Sequence, residues 1–167
     1  MTRWGLPISV ALLALAGAAH EAAAQGSTES RKVDSRVESV LKQAGLAYGI
    51  DGGDFRLKYE TETGRSQLVW VASGTARLAD LEIRDVWSVA YRAKGAVPPD
   101  LAVRLLAENA RMILGAWQVN QGKDEFLVVF SAPVAATADA ATLQEVIEVV
   151  MLSTDRIEQE LTGKDDF

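Results

Sequence analysis

Residues 54–72 read DFRLKYETETGRSQLVWVA, and their alternation decides the fold class. Phe55, Leu57 and Tyr59 alternate with Arg56, Lys58 and Glu60, the two-residue period of a half-buried strand. Thr63-Gly64 marks a hairpin turn, and residues 66–72 give a second strand with Leu68, Trp70 and Ala72 on one face. Trp70 is expected in the core. A connection over residues 73–80 leads to a third strand at 81–91, where Trp87, Val89 and Tyr91 share a face. Three sequential strands joined by short turns form an antiparallel meander.

On either side of the meander the period becomes helical. Ser35 with Glu38 reads as a capping box, Val37, Val40, Leu41 and Ala44 form an apolar stripe, and Gly45 suits a left-handed helix end with Leu46 folding back on Leu41. Beyond the strands, Pro98-Pro99-Asp100 opens a second helix carrying Leu101, Leu105, Leu106, Asn109, Met112 and Ile113, with Gly115 as its stop. Residues 117–120 and 125–131 flank the turn Gln121-Gly122-Lys123-Asp124 as a second hairpin, which Pro133 is expected to end. A long third helix starts near Asp139 and stops at Gly163; Leu143, Ile147, Val150, Thr154, Ile157 and Leu161 step by three and four, and Val146 and Val149 widen its apolar face. The order α-β-β-β-α-β-β-α predicts an α+β domain over residues 33–163, a three-strand meander and a hairpin packed with three helices.

The chain has one histidine, His20, and no cysteine. Residues 1–24 read as a secretory signal peptide: Arg3 supplies a positive start, residues 6–19 (LPISVALLALAGAA) are apolar and uncharged, and Ala22-Ala23-Ala24 offers a small-residue cleavage site. The apolar run is shorter than the roughly 20 residues a spanning helix needs. A periplasmic or secreted protein is expected, with a flexible start over residues 25–32, a short tail at 164–167 and no membrane span after cleavage. Without the leader no imidazole or thiol remains, which excludes Ser-His-Asp and Cys-His catalysis and zinc or haem sites built on those ligands. The net charge of −6 and the lack of any Lys/Arg run argue against nucleic acid as a partner.

The remaining chemistry is sparse. Asp51-Gly52-Gly53-Asp54 lacks the acidic spacing of an EF-hand and reads as a turn. Glu60 and Glu62 project to one face of a strand end; as a carboxylate pair they would suit a hydrolase, as neighbours of a turn they are solvated charges. Asn109, on the apolar side of the second helix, is expected to pin that helix to the following hairpin. Arg104 and Arg111 share a face that is solvated by default. No catalytic, cofactor or metal residue is predicted.

Several segments together resemble the YbjN-domain family of bacterial sensory transduction regulators: Gly53-Asp54-Phe55, Asn109-Ala110 through Leu114-Gly115-Ala116-Trp117, Phe126-Leu127-Val128-Val129-Phe130, Ala138-Asp139-Ala140 with Thr142-Leu143, and Asp155-Arg156-Ile157-Glu158. The resemblance covers residues 33–161. It implies a fold like that of type III secretion chaperones, which are typically dimers holding extended segments of other proteins, and it brings no catalytic residues. The reading is a non-enzymatic module that binds a protein or peptide, as a homodimer, through Trp87, Trp117, Val146, Val149 and Val150, by burial of apolar side chains or by strand addition at a sheet edge. The alternative is a small-molecule site on the concave sheet face with Trp87 and Tyr91; a hydrolase using Glu60 and Glu62 is a weaker third.

Overall fold

A computed structural model describes residues 32–61 and 64–167. Ten elements follow in order: α1 (Ser35–Gln43), β1 (Gly49–Asp51), β2 (Asp54–Glu60), β3 (Ser66–Val71), β4 (Ala76–Leu78), β5 (Leu81–Lys94), α2 (Pro99–Asn109), β6 (Ala116–Gln121), β7 (Glu125–Ala135) and α3 (Ala140–Thr162). The strands form one seven-stranded antiparallel sheet in the order β1-β2-β3-β5-β7-β6, with β4 paired to the first residues of β5. The α+β class and the alternation of helices with strand groups are those the sequence predicts; β1 and β4 are additions to it. The leader over residues 1–24 and most of the following segment lie outside the described residues, as do Glu62 and Thr63. Among the described residues no helix is long and apolar enough to cross a membrane.

Local chemistry explains the element ends. Asp34 caps α1, its carboxylate accepting the Arg36 N–H at 2.8 Å, so the capping-box assignment to Ser35 is corrected: Ser35 is the first helical residue, and Glu38 instead receives Lys42 Nζ and the Tyr48 hydroxyl. The helix ends as expected, with Gly45 at φ 68° and the Leu46 N–H donating to Leu41 O at 3.0 Å. Gly52 and Gly53, both at positive φ, close the two-residue turn between β1 and β2. The helix α2 stops at Asn109, short of Met112 and Ile113. Pro133 does not end the sheet: β7 continues through it, pairing Pro133 with Asp85 where β6 no longer runs alongside. In α3, Asp139 caps the start through the Thr142 N–H and Gly163 closes the end at φ 66°, both as read from the sequence.

All three helices cover one face of the sheet. Val37 and Leu41 of α1, Leu105 of α2, and Leu143, Ile147, Val150 and Ile157 of α3 bury against Phe55, Leu57, Val69, Val71, Val86, Val128 and Phe130. Register is set by β2: Phe55 pairs with Val71 and Leu57 with Val69, so Val69 and Val71 face the helices. Gln67 enters the core beside them, donating from Nε2 to Ser88 Oγ at 2.8 Å and to Val89 O at 2.9 Å.

An ionic cluster ties α1 to the sheet and gives the fold an acid-sensitive joint. Arg36 bridges Asp34 (2.7 Å) and Glu82 (2.9 Å), and buried Arg84 reaches Asp34 at 2.8 Å. Hydrogen bonds from Arg36, then Thr75 and Arg77, hold the Glu82 carboxyl down to about 2, and the guanidinium of Arg36 holds Asp34 well below the usual carboxylate range. Each folded pKa lies below its unfolded value, so the stabilisation is complete above about pH 5 and lost as pH falls towards 2. Glu158, pushed up by burial on α3, works the other way: its ionised form costs stability above its folded pKa, and protonation relieves that cost. A urea midpoint that drops between pH 5 and 3 in the parent should drop less in Glu82→Gln; equal slopes would show that this joint does not set the acid response.

Candidate functional site

Among the described residues no element covers the sheet face turned away from the helices, and its composition is the unexpected feature of the molecule. On β3 the core takes Gln67, Val69 and Val71, while Leu68 and Trp70 point outward. The placement of Trp70 in the core is therefore corrected, because register with β2 turns the bulkier apolar face of β3 away from the helices. Trp70 lies directly opposite Trp87 of β5, and the two rings stack at 4.6 Å with planes 9° apart. Asp51 fixes the pair by accepting the Trp70 Nε1–H at 3.0 Å.

The outward apolar surface continues along β5. Residues 81, 83, 85, 87 and 89 share the outward face, a stripe about 26 Å long at the usual rise per residue. Its first part is a hairpin arm with β4, in which Leu78 sits opposite Leu81. Facing the helices, this arm is ionic: Glu82 receives Arg36, Thr75 and Arg77. Facing outward it is apolar, with Leu78 74% and Leu81 52% exposed. That inverts the pattern of a solvated hairpin. Beside Trp87, Ala72, Asp85, Gln118, Asn120, Val129 and Ser131 line a shallow groove of about 250 Å³. The side chains of Asp85, Arg56 and Lys58 border this surface with no hydrogen-bond or ion-pair partner among the described residues.

The five residues expected to bind a partner do not form one surface. Trp87 is half-buried on the outward face. Trp117 is 5% exposed and faces the helices, its ring 5.0 Å from that of Phe130, and Val146 and Val150 sit in the core under α3, so these three are corrected to core positions. Of the three α3 residues expected to bind a partner, only Val149 is exposed, on the helix layer. The proposed pairing of Trp87 with Tyr91 is corrected too. A bulge between Val89 and Tyr91 reverses the alternation, and Tyr91 turns to the helix side against Phe126.

Asn109 does what its position suggests: its Oδ1 accepts the Trp117 N–H at 2.6 Å and its Nδ2 donates to Trp117 O. Arg104 pairs with Glu160, and Arg111 lies beyond α2, 4.0 Å from Glu108. Glu60 is exposed at the end of β2, and Glu62 lies outside the described residues. Among the described residues no group of three or more acidic, histidine or cysteine side chains could hold a metal ion.

No family model matches the chain. No curated protein matches it either. Among solved structures the chain is similar to YbjN of E. coli, described as a candidate transcription regulator, with 11% sequence identity, a TM-score of 0.48, and 77% of this chain and 90% of that one covered. The likeness is distant, and the functional reading stands on the residues of this chain.

Proposed function

We propose that this domain is a non-enzymatic protein-binding module whose partner docks on the outward face of the sheet, along β5 from Leu81 to Trp87. The observation that carries the reading is the outward stack of Trp70 on Trp87 with the apolar arm in line with it. Aromatic pairs anchor interfaces because they bring large rigid area at low entropy cost. The absence of histidine and cysteine after residue 20 leaves little with which to make or break bonds. The groove at Trp87 is shallow and smaller than the roughly 300 Å³ at which small-molecule pockets begin, which favours a macromolecular partner. An exported location is part of the proposal and rests on residues 1–24 alone.

The helix layer also exposes apolar side chains, and a charge network crosses part of it, with Arg156 bridging Glu108 and Glu160 and Arg104 joining Glu160. Exposed Asp100, Glu145 and Glu148 on that layer have no hydrogen-bond or ion-pair partner among the described residues. Among the described residues the outward face leaves the side chains of Asp85, Arg56 and Lys58 free for a partner. A photo-crosslinking side chain placed at Leu81 should capture the partner in intact cells, and the same group at Val103 on α2 should not. Capture at Val103 with none at Leu81 would move the binding surface to the helices.

A further inference from the structure

The strand β6 ends one side of the sheet, so half of its backbone groups face away from β7. Asn109 shows which half. Its carboxamide accepts the Trp117 N–H at 2.6 Å and donates to the Trp117 carbonyl at 3.2 Å, so both groups of Trp117 point outward from the edge. By the two-residue period Val119 and Gln121 point the same way. A side chain offering one donor and one acceptor to a single residue reproduces what the peptide unit of a next strand would offer. Asn109 therefore stands in for an added strand over one residue. At the other end the Gln121 side chain ties the edge to the loop before α2, accepting the Val97 N–H and donating to Gly95 O. Between them the N–H and C=O of Val119 have no partner among the described residues.

The sequence of β6, Ala116 to Gln121, is AWQVNQ. It contains no charge and no proline, the residues that ordinarily keep an edge from pairing. Its outward positions 117, 119 and 121 are symmetric about Val119. A two-fold axis there would set Val119 opposite the same residue of a second copy and Trp117 opposite Gln121, each exchanging both backbone hydrogen bonds. We infer that the β6 edge is a latent pairing surface for the β6 edge of a second copy, and that Asn109 is the latch that keeps it closed. This inference concerns the edge and does not depend on what binds the outward face.

The test is Asn109→Ala in the full chain, followed by light-scattering mass across concentration and by amide exchange at Val119, each against the parent. The variant should double its mass at concentrations where the parent does not, and Val119 exchange should slow at least about tenfold, as for an amide entering a ladder. Adding Val119→Pro, which removes the central donor, should return the mass to that of the parent. A folded Asn109→Ala with the mass of the parent would overturn the inference, and so would a doubled mass that survives Val119→Pro. If Asn109→Ala loses its fold by circular dichroism, Asn109→Asp, which keeps the acceptor for Trp117 N–H and loses the donor, is read by the same criteria.

Discussion

Replacing Gly115 by alanine should lower folding stability by about 2–5 kcal/mol, the sum of a left-handed backbone penalty and overpacking. Gly115 has φ 82°, and a Cβ there would lie 2.8 Å from the Ser131 carbonyl oxygen and 2.9 Å from the Phe130 ring. The carbonyl is part of the β6–β7 ladder, and Phe130 is fully buried, so neither neighbour can yield cheaply. The position sets how the chain leaves α2 and enters β6, one residue from the segment that Asn109 pins. Gly45→Ala is the internal control: its φ is 68°, but nothing lies within 4 Å of the added carbon, so only the backbone penalty of about 1–2 kcal/mol applies. Chemical denaturation of both variants measures the difference. Equal losses would mean that the close approach at Gly115 relaxes without cost.

The second large effect is at Arg84. This side chain is 3% exposed on the helix side of β5; it donates to Ala72 O and Asp34 Oδ2, both at 2.8 Å, and reaches Ser73 O and Ala136 O at 3.5 Å. Removing one partner of a buried ionic network leaves the other desolvated and unpaired, so Arg84→Ala should cost about 3–5 kcal/mol. Asp34 would suffer twice, since it also caps α1. Arg77, at 70% side-chain exposure in the same cluster, should change stability by less than about 1 kcal/mol when replaced by alanine. A loss at Arg84 no larger than at Arg77 would show that the carbonyls find water and that the network is not holding α1 to the sheet.

These residues also show where sequence reasoning reaches and where it stops. The end of α1 at Gly45, the turn at Gly52-Gly53, the strand alternation of Phe55, Leu57 and Tyr59, and the Asn109 pin all follow from local chemistry, and all are present. The orientation of β3 does not, because both of its faces are apolar and the choice is made by pairing with β2. A single inserted residue, Ala90, turns Tyr91 over, and nothing in a two-residue period announces a bulge. The hairpin arm escapes notice because its turn uses Ala79 at φ 52°, where glycine or asparagine would have marked it. Trp117, Val146 and Val150 are expected on a partner surface from the sequence, yet the core of this same chain takes them in. The candidate surface is thus only partly legible in the sequence: the pattern singles out Trp87 but puts its partner Trp70 on the other side of the sheet.

Trp87→Asp and Val149→Asp divide the two faces of the molecule most directly. Both positions accept a charge without entering the core, one on the outward sheet face and one on α3. Binding of the partner captured at Leu81, measured by titration calorimetry against each folded variant, should weaken at least about 100-fold for Trp87→Asp, the scale of a lost aromatic anchor, and stay within about threefold of the parent for Val149→Asp. Undiminished binding by Trp87→Asp, with the loss falling on Val149→Asp, would contradict the account.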